Sequence, residues 1–135
     1  MITDPENIDV VEGEVVILKC LYNTLSIPSF DVHWSRSNTT SGALEKMWTY
    51  SRSFPSGAEQ DQALKGFTSD LERANLHLPA NHGHSIKIKN IREENETVYV
   101  CELELNYGEQ KGTANTTVNV LSTCCFIMFC ADLYT

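Results

Sequence analysis

The chain has 135 residues and a formal net charge of −8, a length that suits one domain with a short tail. So acidic a surface repels phosphate backbones, which excludes nucleic acid as the expected partner. Hydrophobic residues make up 41% of the sequence, which supports a packed core and excludes a disordered chain.

Met1 to Glu6 has neither a basic start nor an apolar run, so the segment reads as an added methionine on a chain whose secretory leader has been removed. Val10-Val11 reads as a short first strand, turned by Glu12-Gly13-Glu14. Val15 to Leu21 alternates, with Val16, Leu18 and Cys20 on the inward face. A polar loop containing Pro28 leads to Phe30–Ser35, where Phe30, Val32 and Trp34 share a face. Ser37 to Gly42 is a loop and Leu44 to Tyr50 is strand-like again. Ser51 to Gly66, broken by Pro55 and by glycine and serine, reads as an edge strand with loops. Arg73 to Leu78 places Ala74, Leu76 and Leu78 inward. After a turn at Pro79–Gly83, Ser85 to Ile91 alternates through Ile86, Ile88 and, past a bend, Ile91. Thr97 to Leu105 carries Tyr99, Cys101 and Leu103 inward, and Asn106-Tyr107-Gly108-Glu109 closes a hairpin. Gly112 to Leu121 ends the series with Thr116, Val118 and Val120 inward. About nine short strands, with no helical period and no internal repeat, predict an all-β sandwich of antiparallel strands. Residues 1–121 read as the domain and 122–135 as an apolar, cysteine-rich tail.

Cys20, Trp34 and Cys101 each occupy an inward position of a separate strand. The physical reading is a disulfide joining two sheets, with the indole packed on it. Tyr99, two residues before Cys101, can turn its ring inward while its hydroxyl bonds the backbone just upstream. Five cysteines are an odd number, so at least one thiol is unpaired or bonds another chain. The tail run Cys124 to Ala131, which includes Cys125 and Cys130, falls far short of the about 20 residues a helix needs to span a bilayer. It reads as the start of a truncated membrane segment or a poorly ordered terminus, and membrane attachment is expected only there or beyond the chain.

His82-Gly83-His84 with His77 has the residue types of a metal site. Two histidines flanking a turn glycine point to opposite sides of an extended chain, whereas zinc wants three or four converging ligands. No metal and no other cofactor are therefore expected. Ser, His and Asp residues are numerous, but none sits in a nucleophile-elbow or glycine-rich phosphate context, so no enzyme is expected. Asn38-Thr39-Thr40, Asn95-Glu96-Thr97 and Asn115-Thr116-Thr117 match the glycosylation acceptor pattern; Asn38, in a loop, is the best placed.

Leu18-Lys19-Cys20, Val32-His33-Trp34, Ser85-Ile86-Lys87-Ile88 and Tyr99-Val100-Cys101 resemble strands B, C, E and F of immunoglobulin domains. The resemblance spans roughly residues 2–121. The 81-residue separation of the two cysteines leaves room for the C′ and C″ strands of the variable (V-set) type. Gly112-Thr113 followed by Thr116-Thr117-Val118 resembles a joining segment, although Tyr107 to Gly112 is longer than the usual glycine bulge. The family's acid six residues before the second cysteine is Asn95 here. Arg73 is the candidate for the arginine that pairs with that acid, with Glu94 or Glu96 as substitutes for the acid itself.

The resemblance implies a Greek-key V-set sandwich in an extracellular protein, at the cell surface or secreted, that binds a protein partner in adhesion or immune recognition. A second copy of the chain is one candidate partner. The implied binding surface is the face of strands G, F, C and C′. On F its outward residues are Val100, Glu102 and Glu104, and on C they are Asp31, His33 and Ser35. On C′ either Lys46, Trp48 and Tyr50 or Glu45, Met47 and Thr49 face out. The first choice sets aromatics beside carboxylates, the makeup of an interface hot spot. The alternative is a secreted variable domain that recognises foreign or microbial ligands through its loops, chiefly Tyr22 to Pro28 and Asn106 to Lys111.

Overall fold

The computed structural model describes residues 2–3, 6–22, 29–53, 58–64, 70–74, 83–105 and 110–122. Its strands are β1 (Ile2–Thr3), β2 (Asn7–Val11), β3 (Val16–Leu21), β4 (Phe30–Ser37), β5 (Leu44–Ser53), β6 (Ala58–Ala63), β7 (Leu71–Arg73), β8 (Gly83–Ile88), β9 (Thr97–Leu105) and β10 (Gln110–Leu121). They form a four-stranded sheet in the order β1-β3-β8-β7 and a six-stranded sheet in the order β2-β10-β9-β4-β5-β6.

The alternation expected from the sequence is what builds the core. Val16, Leu18 and Cys20 of β3 are buried against Phe30, Val32 and Trp34 of β4 and Tyr99, Cys101 and Leu103 of β9. Ile86 and Ile88 of β8 and Val118 of β10 complete the layer. Ile91 stays inward past β8 because Asn90 takes a left-handed turn at φ 52°, a conformation asparagine tolerates better than most residues. Cys20 on β3 and Cys101 on β9 are bonded, with Cα atoms 6.2 Å apart, and so tie the two sheets together. Trp34 is the β4 residue directly opposite Cys101, and it is fully buried. Tyr99 Oη donates to Asn95 O at 2.7 Å, closing the corner before β9. Asn95 itself ends a 3-10 turn, Glu93–Asn95, and its Oδ1 accepts from Arg92 N at 2.7 Å.

Three features depart from the sequence reading. The first strand is split between the sheets: β1 pairs antiparallel with β3, whereas β2 pairs in parallel with β10. Period-2 alternation carries no information on strand direction, so this parallel pairing was not legible. Arg73 closes β7 instead of opening a longer strand, and Leu76 and Leu78 lie outside the described residues. The third departure is a β-bulge. Trp34 pairs with Trp48, but the next residue, Ser35, pairs with Lys46. Met47 is the extra residue, and it is buried together with Trp48 and Tyr50.

Candidate binding face

The bulge decides which side chains the six-stranded sheet presents outward. Cross-strand partners share a face. Tyr50 pairs with Val32 and Trp48 with Trp34, both core residues, so the two aromatics point inward. The expectation that Trp48 and Tyr50 belong to the binding face is therefore corrected. Neither alternative register on this strand survives whole, because the parity switches at Met47: Lys46 and Thr49 lie outward, Met47, Trp48 and Tyr50 inward.

Two adjacent strands supply the centre of the outward face. Glu102 and Glu104 of β9 lie directly opposite His33 and Asp31 of β4, and Val100 lies opposite Ser35. His33 is opposite Thr49 on the other side, and Asp31 is opposite Ser51. Lys46 is exposed, Ser35 is covered, and Val100, Glu102 and Glu104 are half-buried. His33 Nε2 stands 3.8 Å from Glu104 Oε2, with the two side chains 13% and 20% exposed. The face is thus hydrophilic and acidic at its centre, with no aromatic anchor among the described residues.

Trp48 and Tyr50 take part instead in an interior polar cluster at the far edge. Trp48 Nε1 donates to Asp61 Oδ1 on β6. Asp61 Oδ2 also receives His84 Nε2 at 3.2 Å and Arg73 Nη1 at 3.3 Å. The Tyr50 ring stacks on His84 at a centroid distance of 4.6 Å, and the Arg73 guanidinium lies 5.3 Å from the Tyr50 centroid. Arg73 therefore serves the β6 acids Asp61 and Glu59 rather than the turn before β9. Asn95, Glu94 and Glu96 do not receive it among the described contacts; Glu96 Oε1 accepts from Val120 N at 2.9 Å instead. Sequence reasoning missed Asp61, an acid in a polar edge strand with no pattern to distinguish it.

The comparison with known families bears on this arrangement. The family model described as the immunoglobulin V-set domain matches residues 3–121. The chain belongs to the immunoglobulin V-set family. Among solved structures, a chain from a photo-crosslinking study of multimeric cell-adhesive interactions of VGSC β subunits is similar, with a TM-score of 0.67 and 11% identity over 85% of this chain and 90% of that one. At that identity the likeness speaks for the fold. No curated protein matches the sequence.

In V-set terms, β10, β9, β4 and β5 are the G, F, C and C′ strands, and β6 is C″. The sequons fall in three settings. Asn38 is committed to its turn: Oδ1 accepts from Thr40 N and Ser41 N, and Nδ2 donates to Glu45 Oε1 at 2.6 Å. That amide and the Arg36 guanidinium hold the Glu45 carboxyl below its usual range. Asn95 caps its 3-10 turn. Asn115 is exposed on β10, opposite Val100 on the outward face. Of the candidate recognition loops, Asn23 to Pro28 and Asn106 to Glu109 lie outside the described residues, as do His77, His82 and the tail cysteines Cys124, Cys125 and Cys130. No described helix is long and apolar enough to cross a membrane.

Proposed function

We propose that this V-set domain is an extracellular recognition module that binds a protein partner through the outward face of β10, β9, β4 and β5. The observation that carries this reading is the charge grouping at the centre of that face, where Asp31, His33, Glu102 and Glu104 lie side by side across two paired strands. Grouped carboxylates on one face favour an incoming basic surface. The inter-sheet disulfide supports an oxidising, extracellular compartment.

The partner surface is basic. A second copy of the chain meets that requirement when a two-fold axis sets Lys46 of each copy against the acids of the other. The charged centre acts mainly on encounter rate and on rejection of wrong partners.

The test displays the full chain on cells and measures both cell–cell aggregation and binding of soluble multimerised chain to other cell types. Glu102→Arg is compared with Lys87→Glu, which lies on the opposite sheet. Binding lost with Glu102→Arg and kept with Lys87→Glu supports the proposal. Equal binding by both variants overturns it. Aggregation of displaying cells with one another identifies the partner as a second copy.

A further inference from the structure

The sequence directs a search for metal ligands to His77, His82 and His84, yet His84 is buried in the Asp61 cluster. The ligand-type atoms that converge belong to Asp31, His33 and Glu104, all half-buried and all within 4.8 Å of one another. We propose that these three residues bind a divalent transition-metal ion of the zinc type at the centre of the sheet face. The ion takes carboxylates of the same face as the proposed protein contact, and its test does not require that contact.

Three observations carry it. Asp31 and Glu104 are direct cross-strand partners, so the sheet itself sets two oxygen donors side by side on one face. His33 Nε2 faces Glu104 Oε2 at 3.8 Å, which is convergence without a hydrogen bond. The three side chains lie on one face of two adjacent paired strands, and each is only partly exposed.

The donor set selects the ion. One imidazole nitrogen and two carboxylate oxygens suit zinc, and the nitrogen disfavours calcium and magnesium, which take oxygen ligands. Tetrahedral zinc sets neighbouring ligand atoms about 3.3 Å apart, so the side chains draw together from their present spacing. Three protein ligands leave a fourth position open to water or to a donor from another molecule.

Calorimetric titration of zinc ions into the full chain tests the site, with Cys124, Cys125 and Cys130 alkylated so that tail thiols take no metal. The expected result is a one-to-one site. Loss of groups that merely orient a metal ligand already costs about 10–100-fold in affinity. His33→Ala and the pair Asp31→Asn, Glu104→Gln are therefore each expected to weaken binding at least about tenfold. His82→Ala leaves the affinity unchanged. Calcium gives no comparable heat. The His33 imidazole proton resonances shift with the first equivalent of zinc. Absence of a saturable site, or a site that survives His33→Ala with unchanged affinity, overturns the proposal. Circular dichroism confirms that each variant is folded, and the His33 resonances report on the wild-type chain without any substitution.

Discussion

Asp61, on the edge strand of the six-stranded sheet, places its Oδ2 3.2 Å from Nε2 of His84, which belongs to the opposite sheet. The disulfide ties the sheets at their centre; this carboxylate ties them at the β6 edge. Asp61 also accepts from Trp48 and forms an ion pair with Arg73, so one side chain holds three partners. An edge strand is otherwise held by one neighbour only.

Removing that acceptor leaves an imidazole and an indole N–H without their partner in a mostly dry environment. Asp61→Ala is expected to destabilise the domain by about 2–4 kcal/mol. Glu59→Ala, which breaks a largely exposed pair with Arg73, is expected to cost under about 1 kcal/mol. Urea unfolding followed by tryptophan fluorescence measures both. Equal effects would show that Asp61 is an ordinary surface acid.

The Cys20–Cys101 bond closes a loop with a separation of 81 residues. In the chain-entropy treatment such a link stabilises by about 4.5 kcal/mol, and measured losses run to about 2–5 kcal/mol. Reduction is therefore expected to lower the urea midpoint sharply, with the Trp34 indole reporting because it lies opposite Cys101. An unchanged midpoint would mean that the sulfurs contribute nothing to the stability of the fold.

The positions legible in the sequence are those where strict period-2 alternation holds. Leu18, Val32, Ile86, Ile88 and Cys101 could be placed inward because every second residue of their strands is apolar, and burial agrees at each. The tyrosine corner followed from the two-residue offset between Tyr99 and Cys101, and its bond to Asn95 O is present. Trp48 and Tyr50 failed because a bulge shifts parity by one residue and leaves no mark in a run of Lys46-Met47-Trp48-Thr49-Tyr50. The neighbours of Asp31 were not legible either. Its outward direction follows from alternation, but its contact with Glu104 depends on β4 lying beside β9 in exact register, a long-range pairing.

The bulge makes a direct prediction for two consecutive residues. Met47 is 2% exposed and Lys46 is exposed. Met47→Ala opens a cavity and is expected to cost about 2–4 kcal/mol. Lys46→Ala is expected to stay within about 0.5 kcal/mol. Both are read from urea midpoints at neutral pH. If the two effects were reversed or equal, Met47 would not be the inserted inward residue and the face assignment of Thr49 would fall with it.

Alkali supplies the last test, because three core hydroxyls resist ionisation, those of Tyr22, Tyr50 and Tyr99. Burial pushes Tyr99 up to about 12 despite its bond to Asn95, and burial together with the nearby Glu59 carboxylate pushes Tyr50 up to about 12. In the unfolded chain a tyrosine loses its proton near pH 10. Between roughly pH 10 and 12 the unfolded state thus binds fewer protons than the folded state, and stability must fall as pH rises. It is fully present below pH 10 and is lost as the pH passes through the folded-state values. Urea midpoints are expected to be flat from about pH 8 to 9.5 and to decline above that, beyond the decline of the Tyr99→Phe variant. That variant also leaves the Asn95 carbonyl without its donor, which costs about 1–3 kcal/mol at neutral pH. A wild-type curve parallel to that of Tyr99→Phe above pH 10 would show that Tyr99 ionises as freely in the folded domain as in the unfolded chain, and that the corner is open to water.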